Sequence, residues 1–397
     1  MITRANNIKV AKAILSTPQV ALAKPSVNWF FCKYLRKFKI MDIGGNLIVH
    51  SHLPPLNSKA YSRFVKEHLL EKTIGPSHAQ IGITNACPQR CEYCYNRNRT
   101  GKAMDKETIL KTIQDLKDLG VFWLGLTGGE PLLNKNITEI VESAGEDCAV
   151  KLFTTGYNLT KQLASDLKAA GLYSVSVSLD HWDEEQHDQV RKYKGAFQTA
   201  LRAIDIFKNI EGMHVSISAV ISKEMLKREA IEKYMEFLSG LDVHEVWLSE
   251  AKPSIAAYQN EDLVIKQEEQ AKLIDLQDRY NKEGKITVNY LGHFEDKKHF
   301  GCTAGHKMIY IDAFGEVSPC VFIPMTFGNV KEASVKEIYK EMLERFPTES
   351  NCFINKNYKT LQKYIHPDSP IGKEDSQKIM DEIQFGPLSK FFELQYR

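Results

Sequence analysis

Cys87-Pro-Gln-Arg-Cys91-Glu-Tyr-Cys94 directly follows a short apolar run, and its reading decides what this 397-residue chain is. Thiolate sulfur is the ligand that iron–sulfur clusters require, so three thiols this close together can converge on one soft metal centre. There are three cysteines and not four. In a four-iron cubane, three cysteines leave one iron free to bind something else. A structural zinc ion would want a fourth Cys or His close by, yet the next cysteine is Cys148 and the nearest histidine, His78, precedes the apolar run.

Further elements follow in order: Thr127-Gly128-Gly129-Glu130-Pro131, then Ser176-Val177-Ser178-Leu179-Asp180, then His187-Asp188 and Arg191. With these motifs the chain resembles the radical S-adenosylmethionine (radical SAM) enzymes. The resemblance implies a [4Fe–4S] cluster on Cys87, Cys91 and Cys94 whose open iron chelates the amino and carboxylate groups of SAM. It also implies that Tyr93 packs near the adenine and that Gly128, Gly129, Glu130 and Pro131 hold the SAM amino group. Ser178, Asp180 and Arg191 then belong to the segment that binds the ribose and carboxylate. Read one at a time, the same residues have plainer explanations. A glycine pair before proline makes a turn, Ser176 and Ser178 line a barrel interior, and Asp180 caps a helix. Arg97 and Arg99 read as solvated charges.

From residue 79 the chain alternates apolar strands (79–84, 121–126, 149–154, 173–179, 215–221, 243–248) with amphipathic helices (106–119, 137–144, 160–170, 196–208, 227–238). Such alternation implies an α/β fold with a parallel sheet, and the resemblance makes it a partial (β/α)6 TIM-like barrel. The motifs fall after strand C-terminal ends, where barrel chemistry sits. The expected domains are a basic, aromatic N-terminal extension (1–78), the core barrel with a charged linker helix (79–284), and a C-terminal region (285–397).

In that C-terminal region, Cys302 and Cys320 flank a hairpin turning at Gly315, and Cys352 can return as a third ligand. The segment resembles the SPASM or twitch region of radical SAM enzymes, which implies one auxiliary [4Fe–4S] cluster. Its fourth ligand is open or non-cysteine, since only His293, Asp296 and His299 stand where a further cysteine often lies. Too few cysteines remain for two auxiliary clusters. Cys32 and Cys148 read as buried small hydrophobes.

The chain is 43% hydrophobic and 26% charged with a net charge of +2, an ordinary soluble composition. Scattered cysteines are not a disulfide framework and suit a reducing cytoplasm. Ala21-Leu22-Ala23 imitates a signal-peptidase site, but Ser16-Thr17-Pro18-Gln19 spoils the apolar core that export needs. No stretch reaches the ~20 apolar residues that cross a bilayer. Residues 1–78 carry twelve Lys or Arg against three Asp or Glu. With Trp29, Phe30, Phe31, Tyr34 and Phe38, that basic segment suits peripheral contact with an anionic membrane. It equally suits a solvated basic face whose aromatics close the barrel edge.

The expected activity is reductive cleavage of SAM to a 5′-deoxyadenosyl radical, followed by hydrogen abstraction from a bound substrate. An oxidoreductase or transferase of this kind takes electrons from a donor such as flavodoxin or ferredoxin. The favoured substrate is a lipid, isoprenoid or other small molecule. A ribosomal peptide, as in a maturase, is the alternative. A cluster-based redox sensor is the competing class, but no nucleic-acid-binding element accompanies the cysteines.

Overall fold

The computed structural model describes residues 6–396, apart from 73, 256, 258, 285, 347, 348, 350 and 366–369. Two short strands, β1 (Met41–Ile43) and β2 (Asn46–Ile48), form an N-terminal hairpin. The main sheet contains β3 (His78–Gly82), β4 (Trp123–Thr127), β5 (Ala149–Thr154), β6 (Leu172–Ser178), β7 (His214–Ile221), β8 (Glu245–Glu250), β9 (Thr287–Tyr290), β10 (Met308–Ile311) and β11 (Val317–Ser318). Their order is β11-β10-β3-β4-β5-β6-β7-β8-β9. Every pair from β10 to β9 is parallel, and only β11 runs antiparallel. This is the α/β partial barrel, with β9 and β11 as its edges.

The six expected strands and five helices all form, with ends shifted by no more than two residues. Helix faces bearing Ile109, Ile113 and Leu116, or Ala200, Ile204 and Phe207, bury against the near-continuous apolar strands, the pattern of a parallel sheet covered by helices. Two differences stand out. Thr287–Tyr290 adds a seventh parallel strand after β8, and Met308–Ile311 pairs with β3, so strands on both sides of residue 285 share one sheet. The linker is helical only over Gln267–Glu283.

Residues 6–70 are spent on closing this barrel. Met41, Ile43 and Ile48 pack with Trp123, Ala149 and Tyr173 at the N-terminal end of the strands. Ser51 plugs the floor: its hydroxyl accepts from Lys151 Nζ (2.6 Å) and Trp247 Nε1 (2.8 Å), and its N–H donates to Glu245 (3.1 Å). Along helix Pro25–Leu35, Phe30 and Tyr34 are buried against Phe300, and Phe31 meets Phe64 and Phe391 edge-on. Phe38 is buried as well. These aromatics therefore close an edge, and of the expected interfacial set only Trp29 stands exposed, beneath Lys33. Among the described residues no helix is long and apolar enough to cross a membrane.

Burial holds several histidines neutral: His50 and His68 are pushed down to about 3, and His78 to about 4. The unfolded chain protonates histidine near pH 6.5, so between about pH 6.5 and 4 it takes up protons that the fold refuses. Stability therefore falls as pH falls through that window, by about 1.4 kcal/mol per pH unit per histidine. Denaturant titrations from pH 7 to 5 should show this slope, and His68→Gln should flatten it by one histidine's share. A stability independent of pH across the window would contradict the neutral-histidine packing.

Candidate active site

The cysteine loop leaves the C-terminal end of β3 and is fixed by backbone contacts with two neighbours. Gly129 N–H donates to the Thr84 carbonyl (2.7 Å) and Glu130 N–H to that of Ala86 (2.7 Å). On the other side, Arg90 N–H donates to Arg191 O (3.1 Å) and Glu92 N–H to Val190 O (3.3 Å). Both glycines are demanded by the first contact. Gly128 has φ +130, and a Cβ on Gly128 or Gly129 would run into the carbonyl oxygens of Thr84 or Ala86. The pair lets backbone meet backbone.

Cys87, Cys91 and Cys94 are free thiols facing one cavity. Burial pushes Cys87 up to about 12 and Cys94 to about 11. Thiolates there need a cation, which iron would supply. Among the described residues no group of His, Cys, Asp and Glu closes around a single metal ion. The donor set, three thiols with no nearby fourth, fits a [4Fe–4S] cluster with one open iron.

Around the thiols lies a buried polar shell. Arg191 Nε pairs with Asp180 Oδ2 (2.7 Å), and its Nη1 reaches Cys91 Sγ (3.7 Å). The Tyr93 hydroxyl donates to the same Asp180 oxygen, beneath the Arg191 guanidinium. Burial, the largest single influence, raises the Asp180 carboxyl, but Arg191 together with His187, the Tyr93 hydroxyl and the Val220 N–H holds the group below its ordinary value. Asp180 is thus the anchor of Arg191 and Tyr93. The helix after it is capped instead by Asp183. Glu130 is fully buried: Thr154 Oγ1 (2.6 Å) and Leu132 N–H (3.0 Å) donate to one oxygen, and Thr155 N–H (2.6 Å) and Oγ1 (2.5 Å) to the other. It ties the loop after β4 to the loop after β5, with its carboxyl raised by burial against those bonds. Neither Glu130 nor Pro131 lines the cavity, whereas Tyr93, Gly128, Gly129, Ser178 and Arg191 do.

Arg99 departs from the solvated reading. It is 2% exposed, paired with Asp312 (3.1 Å) and stacked on Tyr310, so it pins the cysteine loop to β10. Cys148 is buried as expected, but Cys32 is exposed.

The cavity has a volume of about 900 Å³, at the upper end of the 300–1,000 Å³ usual for ligand pockets. Cys302 and Cys320 line it as well. Backbone pairing gathers the C-terminal cysteines: Cys302 bridges Glu349, three residues before Cys352, and Gly305 N–H donates to Pro319 O (2.9 Å) beside Cys320. Sequence reasoning missed Glu250, Lys252 and Glu295 on the cavity wall. For the first two a signal existed, because Ser249-Glu250-Ala251-Lys252 follows a strand at the same barrel end as the other motifs.

Comparison with known proteins agrees with this geometry. The radical SAM superfamily model matches residues 81–238, and the SPASM iron–sulfur cluster-binding domain matches residues 302–360. The AdoMet-dependent heme synthase of Methanosarcina barkeri is 25% identical over 299 residues, spanning 68% of this chain and 84% of that protein. The antilisterial bacteriocin subtilosin biosynthesis protein AlbA of Bacillus subtilis is 26% identical over 68% of this chain and 60% of its own length. Streptococcus suis SuiB bound to S-adenosylmethionine shares the fold, with a TM-score of 0.57 at 17% identity over 78% of this chain and 80% of that one. The cofactors that accompany these domains are a [4Fe–4S] cluster with SAM, and an auxiliary iron–sulfur cluster. With both domains matched in order over more than half of its length, the chain belongs to the radical SAM superfamily of enzymes and carries a C-terminal SPASM domain.

Proposed function

We propose that this enzyme generates a substrate radical in the cavity that Cys87, Cys91 and Cys94 line together with Cys302 and Cys320. The observation that supports it is this shared cavity. The first three thiols hold the SAM-binding cluster, and Cys302, Cys320 and Cys352 hold a single auxiliary [4Fe–4S] cluster. Residues 79–284 act as the core and 285–397 as the cluster-binding tail. When bound, the cluster and SAM would supply one-electron cleavage of the sulfonium and, from it, hydrogen abstraction. The chain's own residues orient and shield. Gly128-Gly129 fixes the cysteine loop, Tyr93 offers a ring face, and Ser178 and the guanidinium of Arg191 offer donors to ribose or carboxylate. Glu130 acts from behind the wall, holding Thr154 and Thr155 at the cavity. Pre-ordered groups of this kind supply orientation.

The substrate reading follows from the walls. Phe31, Phe64, Phe294, Phe300, Phe391 and Phe392 line the cavity, which favours an apolar molecule such as a lipid or isoprenoid. A peptide is the second reading, supported by the printed names of relatives such as AlbA and the PqqA peptide cyclases. Against it, residues 6–70 pack on the barrel and leave no separate peptide-binding module among the described residues. A flavodoxin or ferredoxin is the proposed electron donor.

Anaerobic reconstitution with dithionite and SAM should yield methionine and 5′-deoxyadenosine by mass spectrometry. Wild type should carry about eight irons, two four-iron clusters, and the Cys87→Ala, Cys91→Ala, Cys94→Ala variant should lose about half of them with all SAM cleavage. Four irons in wild type would sink the tail cluster, and zinc in place of iron would sink the whole reading. Separately, Arg191→Ala should weaken SAM binding by one to two powers of ten, the value of a charge-assisted contact of roughly 1.5–3 kcal/mol. Unchanged affinity in a calorimetric titration would remove Arg191 from the SAM site.

A further inference from the structure

Three thiols leave one corner of the C-terminal cluster without a protein ligand, and the structure narrows what can fill it. His293 and His299 stack on each other, with ring centroids 4.0 Å apart, and pack against Tyr34 on the N-terminal helix. Asp296 lies beside His299. His293 and His299 lie near Lys37 and line neither the cavity nor the neighbouring cleft, whereas Asp296 lines the cleft but not the cavity. Glu295, beside Asp296, reaches both spaces. Its carboxylate lines the cavity with Cys302 and Cys320, and also the neighbouring cleft that Cys352 lines.

Lys252 marks the geometry. Its ammonium is fully buried, donating to Glu295 Oε2 (2.8 Å), to Glu250 Oε1 (2.9 Å) and to Cys352 Sγ (3.4 Å). One buried cation therefore touches both the carboxylate and a cysteine sulfur. Converging anionic donors in a buried site are costly unless a cation offsets them. Lys252 offsets only part, since Glu250 shares it.

We propose that Glu295 is the fourth protein ligand of the auxiliary cluster, binding through Oε1 while Oε2 stays on Lys252. The proposal rests on the reading that Cys302, Cys320 and Cys352 hold that cluster. Lys252 is then a positioning residue that orients the carboxylate and hydrogen-bonds a coordinating sulfur, the kind of outer contact that tunes a metal centre. A carboxylate-closed cluster would have no iron free to bind substrate, which assigns it to electron transfer.

The test uses the full chain carrying Cys87→Ala, Cys91→Ala and Cys94→Ala, so that only the tail cluster remains, probed with ¹³C-cyanide by electron–nuclear double resonance. With Glu295 intact, about four irons and no cyanide coupling are expected. Adding Glu295→Ala should expose an iron and give cyanide coupling, while Glu295→Cys should keep the iron and exclude cyanide again. Iron lost from Glu295→Ala but retained in Glu295→Cys supports the same conclusion. Cyanide coupling with Glu295 intact, no coupling in Glu295→Ala with its iron retained, or iron lost from both variants would overturn it. Absence of iron from the parent would instead overturn the cluster reading beneath it.

Discussion

Two amide hydrogen bonds, from Gly129 to the Thr84 carbonyl and from Glu130 to that of Ala86, hold the loop after β3 against the loop after β4. They form only because neither residue 128 nor 129 has a Cβ to keep the backbones apart. Everything at the barrel mouth hangs from this contact. The cysteine loop takes its position from it, Glu130 is carried inward to gather Thr154 and Thr155, and the opposite flank is met by Arg191. Asp180 then fixes Arg191 and Tyr93 together, so the loops after β3, β4, β5 and β6 form one connected polar frame around three thiols.

Such a frame requires a closed barrel beneath it, and the sheet alone is open at β9 and β11. The N-terminal residues solve both problems with different chemistry. Ser51 and its partners form a polar floor, in which Lys151 and Trp247 donate from the sheet to the Ser51 hydroxyl and the Ser51 N–H donates back to Glu245. The aromatic helix Pro25–Leu35 meets Phe300 and Phe391 at the open side with edge-on ring contacts. Its apolar wall is also the wall of the cavity, which links closure of the fold to choice of substrate.

The barrel was legible because strands buried on both faces read as apolar runs, and the helices between them kept a clean 3.6-residue period. The cysteine, glycine and serine motifs were legible through order and spacing. What sequence could not show was orientation. Glu130 and Pro131 turn inward from the cavity, Arg99 is a buried anchor, and Phe30, Tyr34 and Phe38 are buried. A basic, aromatic helix has the same composition whether it meets a membrane or a barrel edge. Strand β10 was read as a local hairpin, which it is, but its parallel pairing with β3 spans more than two hundred residues and leaves no local trace. Glu295 was passed over beside His293, Asp296 and His299 because its contact with the buried Lys252, more than forty residues away in sequence, leaves no local trace.

The central claim is that close backbone approach at Gly128-Gly129 creates the SAM-binding cluster site. Gly129→Ala tests it directly, by electron paramagnetic resonance of the reduced, reconstituted protein with and without SAM. The account expects a folded protein by circular dichroism that keeps the tail-cluster signal and loses the SAM-sensitive one. A SAM-sensitive signal of wild-type intensity in that variant would contradict it.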